Sequence, residues 1–160
     1  MTARDVIVAL TARGLTIAVA ESLTGGQLVA ALVDVPGASK TVLGGVVAYN
    51  TELKASILGV DPVLLAERGA VDAEVARQMA AGVRERLAVN GRPADIGIAT
   101  TGVAGPDPQD GKPVGTVFLG IATANAVTSI ELALSGDRTA IRSAVVSESL
   151  VQLTRLIDTL

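Results

Sequence analysis

Histidine and cysteine are both absent from the 160 residues of this sequence. Imidazole bases, thiolate nucleophiles, disulfides and the common zinc ligand sets are therefore excluded. Any catalysis falls to Ser, Thr, Tyr, Lys or carboxylates. No tight group of Asp and Glu suggests a site for a hard metal, so no metal and no cofactor are expected. The lack of disulfides is compatible with a cytoplasmic location, which is the expected one. Tryptophan is missing too, and one Tyr and one Phe give an aromatic fraction of 1% against a hydrophobic fraction of 49%. Such a core is built from Ala, Val, Leu and Ile, which suits a parallel sheet covered by helices. Basic residues are scarce: 13 Lys and Arg face 16 Asp and Glu, a net charge of −3, which argues against a nucleic-acid partner. No apolar run approaches the roughly 20 residues of a membrane span. The opening MTARDVIVALTARG mixes charges into its apolar positions and reads as an amphipathic helix rather than a signal peptide.

What the chain does contain is organised around Leu15 to Gly26. The apolar run Leu15–Ala20 reads as a buried strand and Glu21-Ser22-Leu23-Thr24-Gly25-Gly26 as a polar glycine turn; Gln27–Val33 carries apolar residues at helical spacing, in a helix from about Gly26 to before Pro36-Gly37. That arrangement places a hydroxyl at a strand end beside a helix N-terminus, where backbone N–H groups stabilise an anion or a developing oxyanion. Before it, Thr2–Arg13 is helix-like, with Gly14 as a stop. After it, Pro36-Gly37 is a turn and 38–43 reads as a loop or helical turn. Gly44–Tyr49 reads as a second strand, Asn50-Thr51 as a helix start and Glu52–Leu58 as a short helix. Asp61-Pro62 opens another helix. Asp72 to about Val89 reads as the longest helix, with Val75, Met79, Val83 and Leu87 on one stripe. Ala94–Thr101 is a third strand running into the turn Thr101-Gly102-Val103-Ala104-Gly105-Pro106, and Asp107–Pro113 is a polar loop. Val114–Ala124 and Ala126–Leu134 form a hairpin, and Ser135-Gly136-Asp137 caps a last helix from Arg138 to Ile157. The expected architecture is one domain over 1–160, three-layer α/β/α, with a mixed, mostly parallel sheet of about five strands.

Ser22 and Thr24, each taken alone, read as helix caps. A second polar cluster at a strand end changes the weighing. Tyr49, the only tyrosine, precedes Asn50, and Lys54 falls in the first turn of the next helix. There the helix dipole repels a cation, and with partial burial this lowers the lysine pKa toward the neutral amine that a serine nucleophile needs in place of histidine. The alternative for Lys54 is a solvated surface lysine. Thr101, Gly102 and Gly105 lie at another strand end, and in a parallel sheet such ends converge on one ligand-binding edge. Lys112 and Gly115-Thr116 flank that loop. Arg138 and Arg142 begin the last helix, where cations are disfavoured; they read as anion contacts or as partners of an acidic side chain.

AESLTGG, VVAYNTELK, TTGVAGP followed by KPVGTV, and the SGDR start of the last helix resemble the CinA C-terminal domain family along nearly the whole chain. Stand-alone members of that family include the nicotinamide mononucleotide amidohydrolases. The resemblance implies an α/β/α fold and hydrolysis of the mononucleotide's carboxamide to nicotinic acid mononucleotide and ammonia. It implies a serine and a lysine as the catalytic pair with an assisting tyrosine, which fall on Ser22, Lys54 and Tyr49. The expected chain lacks the N-terminal nucleotide-hydrolysing domain of larger CinA proteins. One departure is visible: the residue after the serine, often Cys in relatives, is Leu23. On this reading Thr24, Gly25, Gly26, Asn50, Thr101, Gly102, Gly105, Arg138 and Arg142 contact the substrate, and the Leu23–Gly26 amides hold the oxyanion. The partner is a small nucleotide, with no nucleic acid and no membrane, and self-association is expected. The alternatives are a non-catalytic nucleotide-binding module and an interaction module of the competence and DNA-damage associations that gave the family its name.

Overall fold

The computed structural model describes all 160 residues. Helix α1 (Ala3–Arg13) leads into strand β1 (Ile17–Glu21) and helix α2 (Gln27–Val33). A single 3-10 turn, Ala38–Lys40, precedes β2 (Val42–Val47) and helices α3 (Thr51–Ser56), α4 (Pro62–Arg68) and α5 (Ala73–Arg86). Strands β3 (Ile96–Gly102), β4 (Thr116–Ala122) and β5 (Val127–Ala133) follow, and α6 (Arg138–Ile157) closes the chain. The five strands lie in the order β2-β1-β3-β4-β5. Pairs β1–β2 and β1–β3 are parallel while β3–β4 and β4–β5 are antiparallel, so β4 alone runs against the rest. The mixed, mostly parallel three-layer sheet with its C-terminal hairpin is as the sequence predicts.

Boundaries moved where turn chemistry overrode periodicity. β2 begins at Val42 and stops at Val47, short of Tyr49. Helix α5 ends at Arg86, not Val89: Leu87 is its C-cap, and Val89 pairs with Arg92 across a tight turn in which Asn90 takes φ 53°. With 20 residues against 14, α6 and not α5 is the longest helix.

The sheet's two faces are unlike, and the alternation along each strand explains it. Ile17, Val19, Ile96, Ile98 and Ile121 face the layer of α1, α2 and α6. Ala18, Ala20, Ala99 and Ala122 face α5, joined by Gly97 and Gly120. A floor of small residues lets α5 settle close through Ala76 and Ala80: a Cβ at Gly97 would collide with the Ala80 carbonyl, and one at Gly120 with the Ala76 carbonyl. This is how a chain nearly devoid of aromatics fills its interior, by bringing backbone to backbone rather than by bulk. Gly120→Ala should therefore cost about 2–3 kcal/mol, because rigid backbone on both sides has nowhere to move. A urea midpoint equal to wild type would show that α5 lifts without penalty.

Topology fixes where function can sit. The C-terminal ends of β1, β2 and β3 share one edge because these strands are parallel, and β5 delivers the start of α6 to the same edge. No helix is long and apolar enough to cross a membrane.

Candidate active site

At that edge Ser22 follows the last residue of β1, and its own N–H donates to the Thr100 carbonyl at 3.0 Å, anchoring it to β3. The Ala48 N–H donates to the Glu21 carbonyl at 2.9 Å, which ties the end of β2 alongside. Asn50 then caps α3 by accepting the Glu52 N–H at 2.8 Å, and the six-residue helix turns Lys54 inward. Lys54 is 1% exposed and ranks among the largest fully buried side chains. The solvated-lysine reading is thereby removed.

The Lys54 ammonium donates to Ser22 Oγ at 3.0 Å, to the Ala48 carbonyl at 2.8 Å and to the Tyr49 carbonyl at 3.3 Å. Three acceptors match the three protons of the charged amine. When the amine is neutral, two protons stay on the carbonyls and the lone pair turns to the hydroxyl of Ser22. Burial pushes the Lys54 pKa down from 10.5 to about 8, partly opposed by the negative charge of Asp110. Of the two causes expected, burial acts and the helix dipole does not. Lys54 sits in the last turn of a very short helix, so desolvation, not the helix dipole, depresses it.

A pocket of about 160 Å³ opens over Ser22 and Lys54. Of the predicted site residues, Ser22, Tyr49, Lys54, Thr101, Gly102, Gly105 and Arg138 line it. Thr24, Gly25, Gly26, Asn50 and Arg142 do not. Thr24 is fully buried and its hydroxyl pairs with that of Thr100 at 2.8 Å; it caps nothing. Thr101 donates to the Ala70 carbonyl at 2.6 Å, holding the opposite wall. Tyr49 is 60% exposed, and its hydroxyl accepts from Arg138 at 3.1 Å, so the side chain stands at the mouth while its carbonyl touches Lys54. Arg138 also donates to the Gly105 carbonyl at 2.7 Å. Arg142 donates to the carbonyls of Leu23 and Thr24 at 2.8 and 3.1 Å. Neither arginine pairs with a carboxylate.

Sequence reasoning missed Glu21. Its buried carboxylate accepts the N–H groups of Gly26, Leu28 and Val29 at 3.1, 3.0 and 2.8 Å. The N-terminus of α2, expected to receive an anion from outside, is filled by the chain's own. The Gly25 N–H is also spent, on the Ser22 carbonyl at 3.1 Å. Of the four amides from Leu23 to Gly26, only those of Leu23 and Thr24 lack an acceptor, and only Leu23 lines the pocket. The turn's one unpartnered amide that belongs to a pocket-lining residue is thus that of Leu23, directly after the serine. Asp110 was missed as well: it accepts the Ala70 N–H at 3.1 Å and ties the 107–113 loop across the pocket's far wall. An acidic residue shortly before a helix start was the visible signal for Glu21; nothing local pairs Asp110 with a residue forty positions away.

A three-layer α/β/α domain with a serine and a buried, pKa-lowered lysine in contact at the carboxyl edge of its sheet is the class these observations define. The model of the CinA C-terminal domain matches residues 1–157. The chain belongs to the CinA C-terminal domain family. It is 51% identical over 148 residues to a CinA-like protein of Frankia casuarinae, covering 92% of this chain and 33% of that one. It is 49% identical over 137 residues to a putative competence-damage inducible protein of Desulforamulus reducens, covering 86% and 32%. The chain thus spans about a third of the length of these curated relatives. Among solved structures, a competence-damaged protein (CinA) superfamily protein from Klebsiella pneumoniae superposes with a TM-score of 0.90 at 32% identity, covering 99% of this chain and 96% of that one. The competence/damage inducible protein CihA from Agrobacterium tumefaciens gives a TM-score of 0.85 at 38% identity, covering 94% and 92%.

Proposed function

We propose that this domain is a serine–lysine amidohydrolase that converts nicotinamide mononucleotide to nicotinic acid mononucleotide and ammonia. The observation that carries the reading is the buried Lys54 amine, brought to about pKa 8 and held 3.0 Å from Ser22 Oγ. Neutral Lys54 takes the Ser22 proton as Oγ attacks the carboxamide carbon, and the Leu23 N–H receives the developing oxyanion. The tetrahedral intermediate collapses as protonated Lys54 gives its proton to the departing nitrogen, releasing ammonia and leaving a Ser22 ester. Water then attacks the ester, Lys54 takes its proton, and that proton returns to Ser22 Oγ as the acid leaves. Arg138 and Asp107, both on the pocket wall, offer a cation and an anion to a substrate that carries a phosphate and a pyridinium ring. Tyr49 assists by holding Arg138 at the mouth.

The test is ammonia release from nicotinamide mononucleotide by wild type and Ser22→Ala, in the presence of a chelator, with nucleotide binding measured on both. Release by wild type alone is the expected result. Binding without release by wild type replaces the enzyme with a nucleotide-binding module, and neither binding nor release removes the nucleotide from the reading.

A pH dependence follows from the same amine. Because the neutral form is the base, kcat/KM should rise with pH through an apparent pKa near 8, the value set by burial of Lys54. Asp110 raises that pKa, so Asp110→Asn should move the limb toward lower pH while its amide oxygen still accepts the Ala70 N–H. A limb that stays in place in Asp110→Asn, or a flat profile between pH 6 and 9 in wild type, would contradict Lys54 as base.

A further inference from the structure

We propose that Arg142 is a positioning residue for the hydrolytic site: its guanidinium locks the turn after Ser22 so that the Leu23 N–H stays aimed at the oxyanion. The inference rests on the reading of Ser22 as nucleophile, though not on the identity of the substrate.

In a trans peptide the C=O and the following N–H point opposite ways, so fixing one fixes the other. The Ser22 carbonyl accepts the Gly25 N–H at 3.1 Å inside the turn, which turns the Leu23 N–H outward. The next carbonyl, that of Leu23, accepts Arg142 Nε at 2.8 Å, and the one after, that of Thr24, accepts Arg142 Nη2 at 3.1 Å together with the Gln27 N–H at 3.2 Å. Successive carbonyls are thus pinned, two of them by one fork reaching across from α6. On the amide side the Glu21 carboxylate takes the Gly26, Leu28 and Val29 N–H groups. An anion grips donors and a cation grips acceptors, leaving the Leu23 and Thr24 N–H groups as the turn's unpartnered donors.

Two features set Arg142 apart from an ordinary packing residue. Its charge meets no carboxylate, although a guanidinium early in a helix is electrostatically disfavoured there. Gly25, at φ +60°, lies beneath the fork: a Cβ at that position would stand 3.3 Å from Arg142 Nη2, so glycine gives the guanidinium room. Arg142 is absent from the pocket wall and therefore acts through the turn, not on the substrate.

The deciding measurement is the rate at which a fluorophosphonate labels Ser22 in wild type, Arg142→Lys and Arg142→Met. In that reaction Ser22 Oγ bonds to phosphorus, fluoride leaves, the serine proton passes to Lys54, and the phosphoryl oxygen takes the oxyanion position. Labelling by Arg142→Met should fall about 30- to 100-fold, below the roughly 10²- to 10³-fold cost of removing an oxyanion donor outright because the amide is loosened and not lost, with Arg142→Lys between the two because it offers no planar fork. With nicotinamide mononucleotide, kcat should fall by the same factor, KM should stay within about twofold, and the pH limb should not move. Wild-type labelling rates in Arg142→Lys and Arg142→Met, accompanied only by a lower urea midpoint, would overturn the proposal, as would a loss confined to KM. Should the methionine variant fail to fold, Arg142→Lys decides alone: full wild-type labelling there overturns the inference. A wild-type protein that labels on Ser22 but releases no ammonia from the mononucleotide removes the substrate reading while leaving this inference to the labelling rates.

Discussion

Lys54→Met should be catalytically dead and yet more stable than wild type at neutral pH. On the proposed mechanism the substitution leaves Ser22 with no proton acceptor within reach, and removal of one member of such a unit costs about as much as removing it all, at least about 10^4-fold in kcat. The stability change has the opposite sign because an ammonium is held where water cannot solvate it. A shift from 10.5 to about 8 converts to roughly 3 kcal/mol of opposition to folding. Removing the amine leaves the Ala48 and Tyr49 carbonyls without its donation, a cost of about 1 kcal/mol each, so the net gain is about 1 kcal/mol, or some 2–4 °C in Tm.

The pH dependence separates this effect from better packing. An amine whose folded pKa lies below its unfolded value opposes folding in full below pH 8 and ceases to do so above 10.5, so its penalty lifts across that window. Wild-type stability should therefore gain from this group between about pH 8 and 10.5, and Lys54→Met should lack that gain. Urea titrations of both proteins at pH 7, 9 and 10 would show it. A less stable Lys54→Met at pH 7 with an unchanged pH slope would mean that Lys54 is a structural residue whose three hydrogen bonds outweigh its desolvation.

The fold was legible to the degree that local chemistry and tertiary packing agree. The helix after the glycine turn is read from about Gly26 to before Pro36-Gly37 and found at Gln27–Val33, close because glycine turns punctuate it on both sides. The strand ends are less legible: β2 stops at Val47 because Ala48 and Tyr49 turn their carbonyls to Lys54, a long-range demand that no hydropathy pattern records. At the site, residue type was informative and contact was not. The exclusion of His and Cys leaves few nucleophile and base pairs, and Ser22 and Lys54 do meet. The assignment of Arg142 and the α2 amides to substrate missed that the chain satisfies these groups itself. A charge and a row of free amides look the same in sequence whether they await a ligand or are already matched, and Glu21 lies only one residue from the serine it supports.

That match makes Glu21 the residue whose loss should damage the structure most. Its side chain is 1% exposed and accepts three backbone N–H groups that have no other partner at the start of α2. Those donors belong to a helix of seven residues with no side-chain cap, so no neighbour can take over. Glu21→Ala should cost about 3–5 kcal/mol, as each buried N–H left unpaired carries a penalty of about 1–3 kcal/mol and part of it is relieved by water entering the space. Glu21→Gln keeps one acceptor oxygen but turns an NH2 toward donors, and should cost about 2 kcal/mol. Because Ser22 is the next residue and its carbonyl organises the turn, the glutamine variant should also lose kcat while folded, whereas a mere helix cap would lower only the urea midpoint. If Glu21→Gln keeps wild-type stability and kcat, the carboxylate is dispensable and the N-terminus of α2 becomes available again as an anion site. Sulfate or phosphate stabilising Glu21→Ala but not wild type would locate that vacated site directly, since an external anion can replace the lost carboxylate only where the amides of Gly26, Leu28 and Val29 converge.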